Sequence, residues 1–92
     1  MADDIVDTLH AGHRKTLNAI FAHPVPATVE WRKVEALFIA LGAKVTEGRG
    51  SRVRFEINQT VASFHRPHPE KEAKIYQVRD ARLFLETIGV IP

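Results

Sequence analysis

Apolar residues recur at two periods along this chain, and the period changes twice. Between Glu30 and Ala43, Trp31, Val34, Leu37, Phe38 and Leu41 stand at i, i+3, i+6, i+7 and i+10. That spacing is one face of a helix. Arg32, Lys33 and Glu35 fall elsewhere on it, and Gly42 stands where a left-handed residue ends the last turn. After Gly42 the period drops to two. "AKVTE" predicts a short strand, and "GRG" (Gly48 to Gly50) predicts a turn. "SRVRFEI" sets Arg52, Arg54 and Glu56 against Val53, Phe55 and Ile57, the alternation of a half-buried strand, with Ser51 in the buried phase. "NQ" turns the chain again, and "TVASFH" predicts a third strand with weaker alternation. Links of two and three residues fit antiparallel hairpins.

The helical period returns at the end. Val78, Ala81, Leu85 and Ile88 share a face in "QVRDARLFLETIGV", and Gly89 closes it. Between the third strand and this helix, "RPHPEKEAK" predicts an irregular loop. Ahead of the main helix, Leu17, Ile20 and Phe21 predict a short helix that stops before Pro24. Pro24 and Pro26 then impose an extended connector. Residues 1–12 are expected to be a flexible N-terminal segment, and residues 13–92 a single domain. Three short strands form a meander whose apolar face needs cover, and two long helices supply it. The expected fold class is α+β: a three-stranded antiparallel sheet with helices on one face and an extra N-terminal helix.

Charge adds a direction. The chain carries 13 basic and 11 acidic residues, for a net +2. Three of the acids (Asp3, Asp4 and Asp7) precede every basic residue. From Lys44 to Arg66, five basic residues face only Glu47 and Glu56. This mild basic bias fits a polyanionic partner without implying strong non-specific nucleic-acid affinity. There is no cysteine, so disulfides and thiol catalysis are excluded. The chain has no apolar run approaching the roughly 20 residues of a membrane span. Its start is acidic, unlike a secretory leader, so the expected location is the cytoplasm.

Candidate chemistry centres on two stretches. In "FHRPHP", His65 and His68 stand where the third strand meets the proline loop, with Arg66 between them. Three readings are open: a metal pair with Glu70 or Glu72, acid–base chemistry, or polar residues ending a strand. Acid–base chemistry suits RNA cleavage, which needs a proton taken from a 2′-hydroxyl and one returned to the leaving oxygen. Arginines would neutralise the phosphate, and Arg52 and Arg54 can lie across the sheet from third-strand residues. His10, His13 and His23 flank the short helix without obvious partners and read as surface residues. Other templates fail. "GRGSR" lacks the lysine and spacing of a phosphate-binding loop, and no serine sits in a nucleophile elbow.

From Trp31 to Val90 the order of motifs resembles the HicA toxins, small mRNA interferases of toxin–antitoxin pairs. The helix ends in Leu41-Gly42-Ala43, and a Gly50-Ser51 turn enters a strand. His68-Pro69 follows the third strand, and the last helix ends at Gly89-Val90. The resemblance implies a double-stranded-RNA-binding-like α-β-β-β-α fold and mRNA cleavage without a cofactor. It also implies neutralisation by a HicB-like antitoxin that covers the active face. HicA toxins typically carry a catalytic histidine directly after the Gly-Ser pair; here that position is Arg52. The catalytic candidates are therefore His65 and His68, and the nucleic-acid-binding candidates are Arg49, Gly50, Ser51, Arg52, Arg54 and Arg66, with no metal. The alternative is a non-catalytic RNA-binding or protein-interaction module on the same fold.

Overall fold

The computed structural model describes residues 9–92. The elements run α1 (Ala11–Ile20), α2 (Trp31–Ala40), β1 (Lys44–Glu47), β2 (Arg52–Ile57), β3 (Thr60–His65) and α3 (Ile75–Thr87). The flexible segment expected over 1–12 lies outside the described residues as far as Thr8. Beyond it, Leu9 is buried and His10 caps α1.

The strands form one antiparallel sheet in the order β1-β2-β3. Its two hairpins differ. Asn58 and Gln59 join β2 to β3 with both φ values positive, the tight two-residue turn that matches strand twist. The β1–β2 link has four residues, one more than the expected "GRG", because Ser51 lies in the loop and not in the strand. Gly48 N–H closes this loop on the Arg52 carbonyl at 2.8 Å.

One face of the sheet is packed. Val53, Phe55 and Phe64 project from it and are buried. Phe38 of α2 is the hub: its ring centroid lies 5.0 Å from Phe55 and 5.0 Å from Phe84 of α3, both edge-on. Trp31 packs on Phe64 at 5.0 Å. Each fully buried side chain of this kind contributes about 1.5–3 kcal/mol before entropy is subtracted. Helix α1 buries Leu17 and Ile20 in the same core. Arg82 of α3 fastens it: the guanidinium donates to the Ile20 carbonyl at 3.1 and 2.9 Å and to that of Ala22 at 3.0 Å.

Helices α2 and α3 end in the same way. After α2, Gly42 (φ +96°) donates to Ile39, and Ala43 N–H reaches back to Phe38 at 3.0 Å. After α3, Gly89 donates to Glu86, and Val90 N–H reaches Leu85 at 2.8 Å. Both are Schellman closures, which need a positive φ and therefore favour glycine. Their starts are tied together by short extended pairing. Trp31 N–H donates to the Lys71 carbonyl at 2.9 Å, and Ala73 N–H to that of Val29 at 2.7 Å. No helix among the described residues is long and apolar enough to cross a membrane.

Candidate functional site

The other face of the sheet carries the polar residues. Strand alternation sends Arg52, Arg54 and Glu56 outward from β2, opposite the buried Val53 and Phe55. In the β2–β3 register, Arg52 pairs with His65 and Arg54 with Ser63. On the other side, Arg54 pairs with Thr46 of β1. Directly paired and diagonal neighbours on one face lie within side-chain reach of each other. All five of these residues are exposed.

They line a concavity of about 420 Å³ at the hairpin end of the sheet, together with Gly48 and Arg49. In the loop that closes it, a Cβ added at Gly48 would lie 3.0 Å from the Arg52 Cβ, a tight contact, and Gly50 takes a positive φ of 61°. Arg49 and Gly50 are exposed in this loop, and the Ser51 carbonyl accepts a bond from the Arg66 N–H at 2.9 Å. Three guanidinium groups and one imidazole thus line a concavity whose one carboxylate is that of Glu47 at its margin, while Glu56 lies on the same face outside it. Such a surface favours an anionic ligand. Its arginines can neutralise an oxyanion, and its imidazole carries ring nitrogens able to donate or accept a hydrogen bond.

Of the sequence candidates, Arg49, Arg52, Arg54 and His65 therefore meet in one concavity, with Gly50 and Ser51 in the loop beside it. Arg66 and His68 do not line it. His68 is exposed in the loop after β3. Arg66 follows His65 and projects to the helix side of the sheet. There its Nε and Nη2 donate to Glu35 of α2 at 2.7 and 3.2 Å. Its Nη1 and Nη2 donate to Glu47 of β1 at 2.6 and 3.0 Å. These hydrogen bonds, to Glu47 first and then to Glu35, hold the guanidinium still more firmly protonated than usual. In return, the Arg66 hydrogen bond holds the Glu47 carboxyl below the usual carboxylate range. The Trp31 indole N–H also donates to Glu35.

Two further contacts had no sequence signal. Gln77 of α3 is buried and donates to the His65 carbonyl at 2.6 Å. His10, read as a surface residue without partners, accepts from the N–H groups of Gly12 and His13 at 3.0 and 3.3 Å and stacks on the His13 ring. Among the described residues, no three histidine, aspartate or glutamate side chains converge as a metal site.

Against known families, residues 31–90 match the model described as the HicA toxin of bacterial toxin–antitoxin. The match opens at the first residue of α2 and closes at the Val90 cap of α3, so it spans the sheet and both covering helices and leaves α1 outside. Comparison with curated proteins and with solved structures gives no match.

Proposed function

The chain belongs to the HicA toxin family, and from that premise we propose that this toxin acts in the cytoplasm by cutting mRNA and is neutralised by a HicB-like antitoxin. The observation that supports this reading is the concavity on the bare sheet face, where Arg49, Arg52 and Arg54 stand with His65. An RNA backbone laid there has its phosphate beside the arginines. His65 takes the proton of the 2′-hydroxyl as the 2′-oxygen attacks phosphorus. The bond from phosphorus to the 5′-oxygen breaks, and that oxygen takes up a proton. His68, on the loop after β3, is the second group able to carry one. The arginines stabilise the charge that gathers on the phosphoryl oxygens. No cofactor enters this scheme. An antitoxin that covers the same face with acidic groups blocks it.

Arg52 favours a second reading. It stands directly after Gly50-Ser51, where HicA toxins typically carry their histidine, and an arginine cannot serve as a base at neutral pH. On that reading the chain binds RNA without cutting it, or serves as a protein-interaction module. Expression in a bacterial host, paired with RNA cleavage by the purified protein, separates the readings. Wild type is expected to arrest growth and cut RNA, and His65→Ala to do neither; His68→Ala reports whether the second histidine takes part. Wild-type protein that binds RNA and leaves it intact refutes the nuclease reading.

A further inference from the structure

We propose that Gln77 is a positioning residue for His65, an inference that rests on reading His65 as the proton-exchanging group. Two polar side chains are buried among the described residues, Thr16 and Gln77. Thr16 is satisfied within its own helix, by the Gly12 carbonyl at 3.1 Å. Gln77 is only 1% exposed and spends its two ends differently. Its Oε1 accepts the Lys74 N–H at 2.9 Å, which caps the start of α3. Its Nε2 crosses to the sheet and donates to the His65 carbonyl at 2.6 Å.

The amide has one workable orientation. Lys74 offers a donor and His65 an acceptor, so flipping the group would set like against like at both ends. Capping alone requires only an acceptor, which a glutamate would supply equally well. The additional donor of glutamine serves His65.

What it holds is a single peptide unit. The bond joining His65 to Arg66 has its N–H on the Ser51 carbonyl at 2.9 Å and its C=O on Gln77. One end is therefore tied to the β1–β2 loop and the other to α3. His65 is the last residue of β3, and β3 is an edge strand, so no further strand lies beside it to receive the His65 carbonyl. Without Gln77 the carbonyl side of this peptide has no partner from the sheet. Pinning both ends fixes the backbone of His65, and with it the direction of the Cα–Cβ bond that aims the imidazole into the concavity.

The test compares Gln77→Met, which fills the space and loses both contacts, with Gln77→Glu, whose buried carboxyl takes up a proton and as the neutral acid keeps an acceptor for Lys74 and a donor for His65. Each variant is first checked for folding by circular dichroism at low temperature. NMR then follows the Arg66 amide and the His65 ring. Both sets of signals are expected to move in Gln77→Met and to stay near their wild-type positions in Gln77→Glu, while the Leu17 and Ile20 methyl signals stay in place in both. For RNA cleavage by folded Gln77→Met, kcat is expected to fall about 10–100-fold, with KM changing less than about twofold. Wild-type kcat together with unmoved Arg66 and His65 signals in folded Gln77→Met would overturn the proposal. His65→Ala is run in parallel. If it cuts RNA as fast as wild type, the catalytic reading of His65 fails, and the NMR signals alone decide: displacement supports positioning, and its absence refutes it.

Discussion

Replacing Arg66 with alanine should cost stability in a way that separates its two carboxylate partners. The guanidinium is 33% exposed, Glu35 16% and Glu47 65%. The Glu35 half is thus the better shielded. A charge-assisted hydrogen bond in such a setting contributes about 1.5–3 kcal/mol. Removing the arginine also leaves the Glu35 carboxylate with the Trp31 indole as its one side-chain partner among the described residues. The loss stays below the about 3–5 kcal/mol of a fully buried broken pair, because water reaches one side. A cost of about 2–3 kcal/mol follows, and in a domain of this size it lowers Tm by about 10–20 °C. Glu47→Gln should lower Tm by clearly less, since its partner contact is open to solvent and screened.

The pH dependence checks the same logic. Glu47 has its carboxyl pKa depressed in the folded state, chiefly by the hydrogen bond from Arg66. A depressed acid contributes stability above its unfolded pKa of about 4.3 and loses it as pH falls through the lower folded value. The Tm gap between wild type and Arg66→Ala should therefore narrow between pH 6 and pH 3. Thermal unfolding at several pH values measures it. A Tm drop of only a few degrees at pH 7, a Glu47→Gln variant as damaged as Arg66→Ala, or a gap that stays constant into acid would each refute the reasoning.

Three other perturbations are informative. Replacing Arg52 and Arg54 together with alanine should weaken single-stranded RNA binding and flatten the slope of log K against log salt by about 1.4, whereas Arg66→Ala should leave the slope unchanged. Equal effects from both variants would return Arg66 to the binding surface. Arg82→Ala strands the Ile20 and Ala22 carbonyls at the end of α1 and should cost about 1.5–3 kcal/mol in urea unfolding; an unchanged midpoint would show that α1 is held by its apolar face alone. His10→Ala should cost about 1 kcal/mol through the lost helix cap, and His10→Asp should restore it.

The fold was largely legible because its elements announce themselves by period. Trp31, Val34, Leu37 and Phe38 are all buried on α2, as the spacing predicts, and Val53 and Phe55 are buried on β2. Gly42 marks a helix end because a left-handed residue is needed there, a local requirement that a sequence records directly. The misreadings fall where position depends on contacts between distant residues. Ser51 shares the parity of Val53 yet belongs to the loop, because the ladder starts only where Gly48 can close on Arg52. His10 has no neighbouring charge to mark it, and its role is set by backbone N–H groups that every sequence possesses.

The placement of the candidate site residues was legible in part for the same reason. Arg52 and Arg54 alternate with buried residues, so their common outward direction follows from the strand alone. That His65 lies opposite Arg52 follows from register, which the two-residue Asn58-Gln59 turn fixes. Arg66 has the composition of a phosphate ligand, but strand parity turns it to the helix side, 31 residues from Glu35 in sequence and 19 from Glu47. Gln77 is read from its helix as one more polar residue. The same parity that sends the His65 side chain to the open face leaves the Arg66 side chain to tie the strand end to α2 and β1. The peptide between them is tied to the loop and to α3. Whatever binds on the outer face thus meets a histidine whose backbone is held by the loop beside the concavity and by a helix behind the sheet, so variants of Gln77 or Arg66 can alter a surface that neither side chain lines.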